Sequence, residues 1–145
     1  MDIQIDTLGY YVDRVFSCMV KFLNDKLAEC GLEFQHPHFA ILIVLSKKDG
    51  LDQSALTEFI HRDKAAVSRN IKYLEEKGYV VRRFEGGKKK KVFLTEKSRR
   101  VIPVLYDIAA QDTTTTLKGF SESQKKSVYK MLTKMYENIS SATRN

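Results

Sequence analysis

Lys64, Ala65, Ser68, Arg69 and Lys72 recur at offsets that place them on one face if their segment is helical. That face has a distinct chemistry. The arginine offers a planar fork that fits the two acceptors of guanine in a major groove, and lysine holds a phosphate oxygen as a point charge. Alanine and serine let a helix approach closely. A second cluster follows, in which Arg83 precedes Glu85-Gly86-Gly87 and the consecutive Lys88, Lys89, Lys90 and Lys91. Between Arg82 and Arg100 lie nine of the chain's 25 basic residues but only two of its 18 acidic ones. This stretch therefore carries an excess equal to the whole formal net charge of +7. Such localisation points to a polyanionic partner; a charge run by itself is more often a solvated face, and the surrounding elements are what turn the reading towards double-stranded DNA.

The remaining reactive side chains do not assemble into a catalyst. His36, His38, His61, Cys18 and Cys30 show neither Cys-x-x-Cys nor His-Glu-x-x-His spacing, and no nucleophile elbow or phosphate loop is present. No enzyme activity, cofactor or metal is expected. The His36-Pro37-His38 pair reads as a structural helix entry. Cys18 and Cys30 fall twelve positions apart in one amphipathic helix, too far for a disulfide within it. No apolar run approaches the ~20 residues of a membrane span, and Met1 leads into Asp2 and Asp6, so the chain reads as cytoplasmic.

Apolar periodicity supplies the elements that would hold these groups in place. Leu8 to Cys30 repeats at helical spacing and stops at Gly31; Pro37 to Lys48 is apolar on nearly all sides and should be central. Asp52 caps a short helix in which Ala55, Leu56, Phe59 and Ile60 face inward. That helix breaks near His61 and Arg62. Asp63 caps the next helix, Lys64 to Lys77, whose Val67, Ile71 and Leu74 turn inward and which ends at Gly78. Two short helices and a tight turn make a helix-turn-helix. The period then becomes extended: Tyr79 to Phe84 and Lys89 to Leu94 form a hairpin around Glu85-Gly86-Gly87-Lys88, a cationic wing. Thr95 caps a helix running towards threonines 113 to 116, and Ser121-x-x-Gln124 opens a last one.

The first and last helices carry apolar stripes, Leu8 to Leu27 and Val128 to Ile139, larger than the small winged unit would cover. A second copy of the chain would bury the surplus. The expected fold is mainly α with a small β-hairpin: a winged helix-turn-helix with long terminal helices as a dimerisation arm. Residues 1–145 form a single domain, with 35–95 as the DNA-binding lobe and 1–34 and 96–145 as the arm.

The run Gln53 to Thr95 resembles the MarR family, in Ser54-Ala55-Leu56-Thr57, Ala66-Val67-Ser68-Arg69, Leu74-Glu75-Glu76-Lys77-Gly78-Tyr79-Val80 and Leu94-Thr95-Glu96-Lys97. The resemblance implies a homodimeric winged transcriptional regulator, read as a repressor, that binds an inverted repeat and is released by a small ligand or an oxidant. It also implies an effector pocket between lobe and arm, near Phe16, His38 and Ile41. Cys18 takes the place of the first-helix cysteine that senses peroxides in some branches, although free cysteine is more often a small buried hydrophobe. One departure concerns the wing, where Glu85-Gly86-Gly87-Lys88-Lys89 replaces the family's Asp-x-Arg, and lysine lacks the arginine fork. The competing reading is an architectural or protein-interaction module without sequence preference.

Overall fold

A computed structural model describes residues 3–143. Its elements run α1 (Leu8–Glu29), α2 (His36–Lys47), β1 (Leu51–Asp52), α3 (Gln53–Ile60), α4 (Lys64–Glu76), β2 (Val80–Phe84), β3 (Lys90–Leu94), α5 (Glu96–Thr116) and α6 (Glu122–Thr143). The fold is mainly α with one small antiparallel sheet. The expected hairpin gains a third strand, because β1 adds to β3 through Leu51↔Val92 and Asp52↔Lys91, giving the order β1-β3-β2. The chain divides into two compact units, the first ending at Asp112 and the second beginning at Thr113.

One core fills the first unit. Leu23 and Leu27 of α1, Ile41, Leu42 and Leu45 of α2, Leu56 of α3, Val67, Ile71 and Leu74 of α4, the strand residues Val80, Val92 and Leu94, and Leu105 and Ile108 of α5 form a single cluster. Residues 35–95 thus share their core with helices on both sides. The apolar surround of α2 follows from its place, touching α1, α3, α4 and β3. Pro37 is the second residue of that helix, near its start as the sequence suggests, with His36 opening it. The inward set of α3 needs one correction: Leu56 is buried, but Phe59 is 60% exposed. An eight-residue helix wedged between α2 and α4 has room to bury only a narrow stripe.

Polar pins fix the turns. Asp49 Oδ1 accepts from the backbone N–H groups of Gly50 (3.1 Å) and Leu94 (2.9 Å), while Oδ2 accepts from Arg99 (2.7 Å). Gly50 sits at φ +72°, and a Cβ there would stand 2.7 Å from the Phe93 ring. Glycine alone fits. Tyr106 and Ser46 share a 2.7 Å hydrogen bond that joins α5 to α2, and Ser46 donates in turn to Ile43 O.

The second unit contains the end of α5 and α6. Ser121 and Gln124 form the expected capping box: the Ser121 N–H donates to Gln124 Oε1 (2.8 Å), and the Gln124 N–H donates to Ser121 Oγ (3.1 Å). No residue of α6 is buried within this chain, and Tyr129, Met131, Leu132, Tyr136 and Ile139 are all exposed. In the first unit, α1 likewise leaves Leu8, Tyr11, Val12, Val15 and Phe16 open.

Candidate nucleic-acid interface

The helix-turn-helix is built by its caps. Asp52 accepts from Ala55 N–H (2.9 Å) to start α3, and Asp63 accepts from Ala66 N–H (2.8 Å) to start α4. The reversal between them is made by His61, which adopts a left-handed conformation (φ 54°) unusual for a non-glycine residue. At the far end of α4, Gly78 N–H donates to Glu75 O and Tyr79 N–H to Leu74 O, the paired bonds of a Schellman stop, with Gly78 at φ +82°.

Burial of Val67, Ile71 and Leu74 turns the opposite face of α4 outward. Lys64, Ala65, Arg69 and Lys72 are exposed and Ser68 is half-buried. Lys72 lies 4.0 Å from Glu76, an exposed pair that leaves its charge available. Gln53 joins this surface, donating through Nε2 to Lys64 O at 3.3 Å. A concavity of about 250 Å³ is lined by Gln53, Ser54 and Lys64 from the helical side and by Arg82, Lys89 and Lys90 from the hairpin. Helix and wing cations therefore border the same groove. Sequence reasoning missed Gln53 and Ser54, although their place beside the Asp52 cap at the first turn of α3 was the available sign.

The hairpin is held to α4 by Arg82, whose Nε and Nη2 donate to the two carboxylate oxygens of Glu75 at 3.1 and 2.7 Å. That bidentate bond holds Glu75 below its ordinary carboxylate value and Arg82 above its own. Thr95 Oγ1 donates to Gly78 O (2.6 Å) and Lys97 Nζ to Lys77 O (2.7 Å), tying the start of α5 to the end of α4. Arg83 lies over the Phe93 ring, 3.9 Å from its centroid, on the other face of the sheet. Of the four lysines, Lys88 and Lys89 sit in the turn, while Lys90 and Lys91 belong to β3; Lys91 is half-buried and the other three exposed.

The expected effector residues divide. Phe16 lines a concavity of about 470 Å³ with His36, Ala40, Val44 and the Phe59 to Arg62 turn. Ile41 is sealed in the core, and His38 is engaged elsewhere, its Nδ1 accepting from Gln35 N–H (3.2 Å) and its ring stacked on Tyr73 at 4.3 Å. His36 takes their place: its ring meets Phe16 edge-on, and its Nδ1 is buried with no hydrogen-bond partner among the described residues. Burial pushes His36 below its ordinary value, and the Arg62 charge adds to this. Cys18 is exposed in this chain, against the expectation of a buried thiol, because it lies on the uncovered part of α1. No group of three or more metal-ligating side chains occurs among the described residues, and no helix among them is long and apolar enough to cross a membrane.

Two capped helices with a tight left-handed turn, followed by a cationic hairpin pinned to the second helix, define a winged helix-turn-helix protein. Residues 31–91 match the model of the MarR family. The uncharacterised HTH-type transcriptional regulator YybA of Bacillus subtilis (strain 168) is 29% identical over 110 residues, 74% of this chain and 73% of its own. Over residues 31–91 the chain is thus similar to the MarR family of transcriptional regulators. The crystal structure of a MarR transcriptional regulator from Methanosarcina mazei Go1 shares the fold at TM-score 0.86 and 24% identity, covering 97% of this chain and 94% of that one. A MarR family regulator from Listeria monocytogenes, solved in complex with a 26-mer DNA, matches at TM-score 0.84 and 22% identity over 95% and 92% of the two chains.

Proposed function

We propose that this chain is a sequence-specific double-stranded DNA-binding repressor, working as a homodimer on an inverted repeat. The observation that carries this reading is the groove that Lys64 of α4 borders together with Lys89 and Lys90 of the wing. A helix face of small and cationic residues suits the major groove, and the hairpin beside it reaches the adjoining backbone or minor groove. Arg69 makes the bidentate contact to guanine and Ser68 faces base edges, while Ala65 permits close approach. Lys64, Lys72, Arg83 and Lys88 to Lys91 hold phosphates. The Listeria neighbour solved on DNA supports the same use of the fold.

In this reading residues 35–95 form the DNA-binding lobe, and 1–34 with 96–145 form the dimerisation arm. The exposed apolar side chains of α1 and of α6 are what a second copy covers. A symmetric dimer presents two α4 helices to major grooves about one turn apart, which dictates an inverted repeat. Occupying a promoter in this way excludes polymerase, so repression is the direct outcome. A small apolar or anionic effector in the cavity beside Phe16, His36 and Arg62 would press on the α3–α4 turn that lines the same cavity, and so release DNA.

Selection from random duplexes tests the assignment: enrichment of one inverted repeat supports it, whereas a salt- and length-dependent smear favours an architectural module. On the enriched duplex, Arg69→Ala should cost about 1–3 kcal/mol and relax one position in each half-site. Sedimentation should return twice the chain mass.

A further inference from the structure

The hairpin holds two phenylalanines with opposite fates. Phe93 is half-buried, covered by Arg83 at 3.9 Å and close against Gly50. Phe84 is 61% exposed. It is the last residue of β2, paired with Lys90 in the final rung of the ladder, and the Lys90 ammonium lies 5.6 Å from its ring centroid. Strand alternation puts Phe84 on the same sheet face as Val80 and Arg82, and Arg82 is bonded to Glu75 of α4. An aromatic ring is thus set on the α4 side of the wing, beyond the reach of the core, on rigid strand backbone.

We infer that Phe84 is an apolar wedge that packs into a base step of double-stranded DNA in the minor groove flanking the α4 contact. The inference rests on the DNA-binding reading above and deepens it by assigning the wing's groove contact. The chemistry follows from the neighbours: Lys90 opposite and Lys88 and Lys89 in the turn draw phosphates on both sides of the finger. The ring between them finds its apolar surface only against sugars and base faces. An inserted ring unstacks the step and bends the duplex towards the major groove. It also supplies what the lysine-rich turn lacks, a contact sensitive to the deformability of the sequence and not only to its charge.

The test uses the full-length chain and the duplex it enriches from a random pool, with 2-aminopurine substituted singly at each position flanking the half-sites. The wild-type chain should raise 2-aminopurine fluorescence severalfold at one step per half-site, and circularly permuted fragments should show a bend centred there. Phe84→Ala should abolish both signals and weaken affinity roughly tenfold with an unchanged salt slope, since no cation is removed. Phe84→Trp should keep the signals. Because Phe84 lies outside the core, its variants should melt like the wild type, and that measurement separates a missing wedge from an unfolded chain. A duplex that is enriched and bound through Arg69 yet stays fully stacked, or stays unstacked under Phe84→Ala, overturns the wedge alone. A chain that enriches no sequence overturns the underlying reading as well.

Discussion

The base and the tip of the hairpin are equally basic in sequence and opposite in use. At the base, Arg82 grips Glu75, Lys97 donates to the end of α4, and Arg99 is held by Asp49. At the tip, Lys88 and Lys89 stand in solvent around Gly86 and Gly87. A cation already bonded to the protein's own oxygens has less charge to offer a phosphate, so under the proposed function the excess positive charge acts through the tip and the outer face of α4. The basic run therefore serves two ends: Arg82, Lys97 and Arg99, on either side of the tip, hold the wing in place, and the lysines between them are presented by it.

Replacing Lys88 to Lys91 together by Gln should have the largest effect. The salt slope of DNA binding should flatten by about 0.9 for each phosphate that is no longer neutralised, up to ~3.6 in all, with affinity falling by two orders of magnitude or so. Thermal stability should change by no more than about 1 kcal/mol, since Lys88, Lys89 and Lys90 are exposed and only Lys91 is half-buried. A melting point that fell along with the slope would erase the distinction between tip and base.

The base should respond in stability instead. Asp49→Ala removes the acceptor for two backbone N–H groups and for Arg99, and should cost about 2–3 kcal/mol in denaturant unfolding while leaving the salt slope unchanged. Asp49→Asn, which keeps an acceptor oxygen for Leu94 and Gly50, should lose less. Arg82→Met comes next, at about 1 kcal/mol, because its pair with Glu75 is bidentate yet partly solvated. That pair also predicts a pH dependence. With Glu75 held below its ordinary value, its contribution is full above about pH 4.3 and is lost as pH falls through the lowered value. The acid limb should shrink in Arg82→Met.

Much of the fold was legible because each element carries its own punctuation. Asp52, Asp63, Gly78 and the Ser121 box declare ends through local hydrogen bonds, and Val67, Ile71 and Leu74 declare the buried side of α4 by spacing alone. Strand β1 was not legible, since two residues leave no period to read and Asp52 belongs at once to the strand and to the cap of α3. Phe59 and Cys18 were misjudged for a common reason: residue type predicts average burial, and both lie where this chain has no neighbour to cover them. The partition of the basic run was illegible too. Whether an arginine is held depends on a carboxylate seven residues away for Arg82 and fifty for Arg99.

The smallest effect concerns groups that are neutral where they matter. His38 Nδ1 accepts the Gln35 N–H that closes the cap of α2, and burial pushes His38 below its ordinary value; His36 is lowered by burial and by Arg62. Protonating His38 removes the acceptor. Since the unfolded chain binds those protons near pH 6.5 and the folded chain only lower, the stability they contribute is present above about pH 6.5 and drains away as pH drops through the folded values. His38→Gln keeps an acceptor at the same helix position and removes the titration, so the loss of stability between pH 7 and pH 5.5 should shrink by a few tenths of a kcal/mol. Urea midpoints at the two pH values measure it, and an undiminished fall in His38→Gln would mean that the α2 cap is indifferent to the proton. The salt slope of DNA binding at pH 7 should not move in this variant, because a neutral His38 stacked on Tyr73 brings no charge to the duplex.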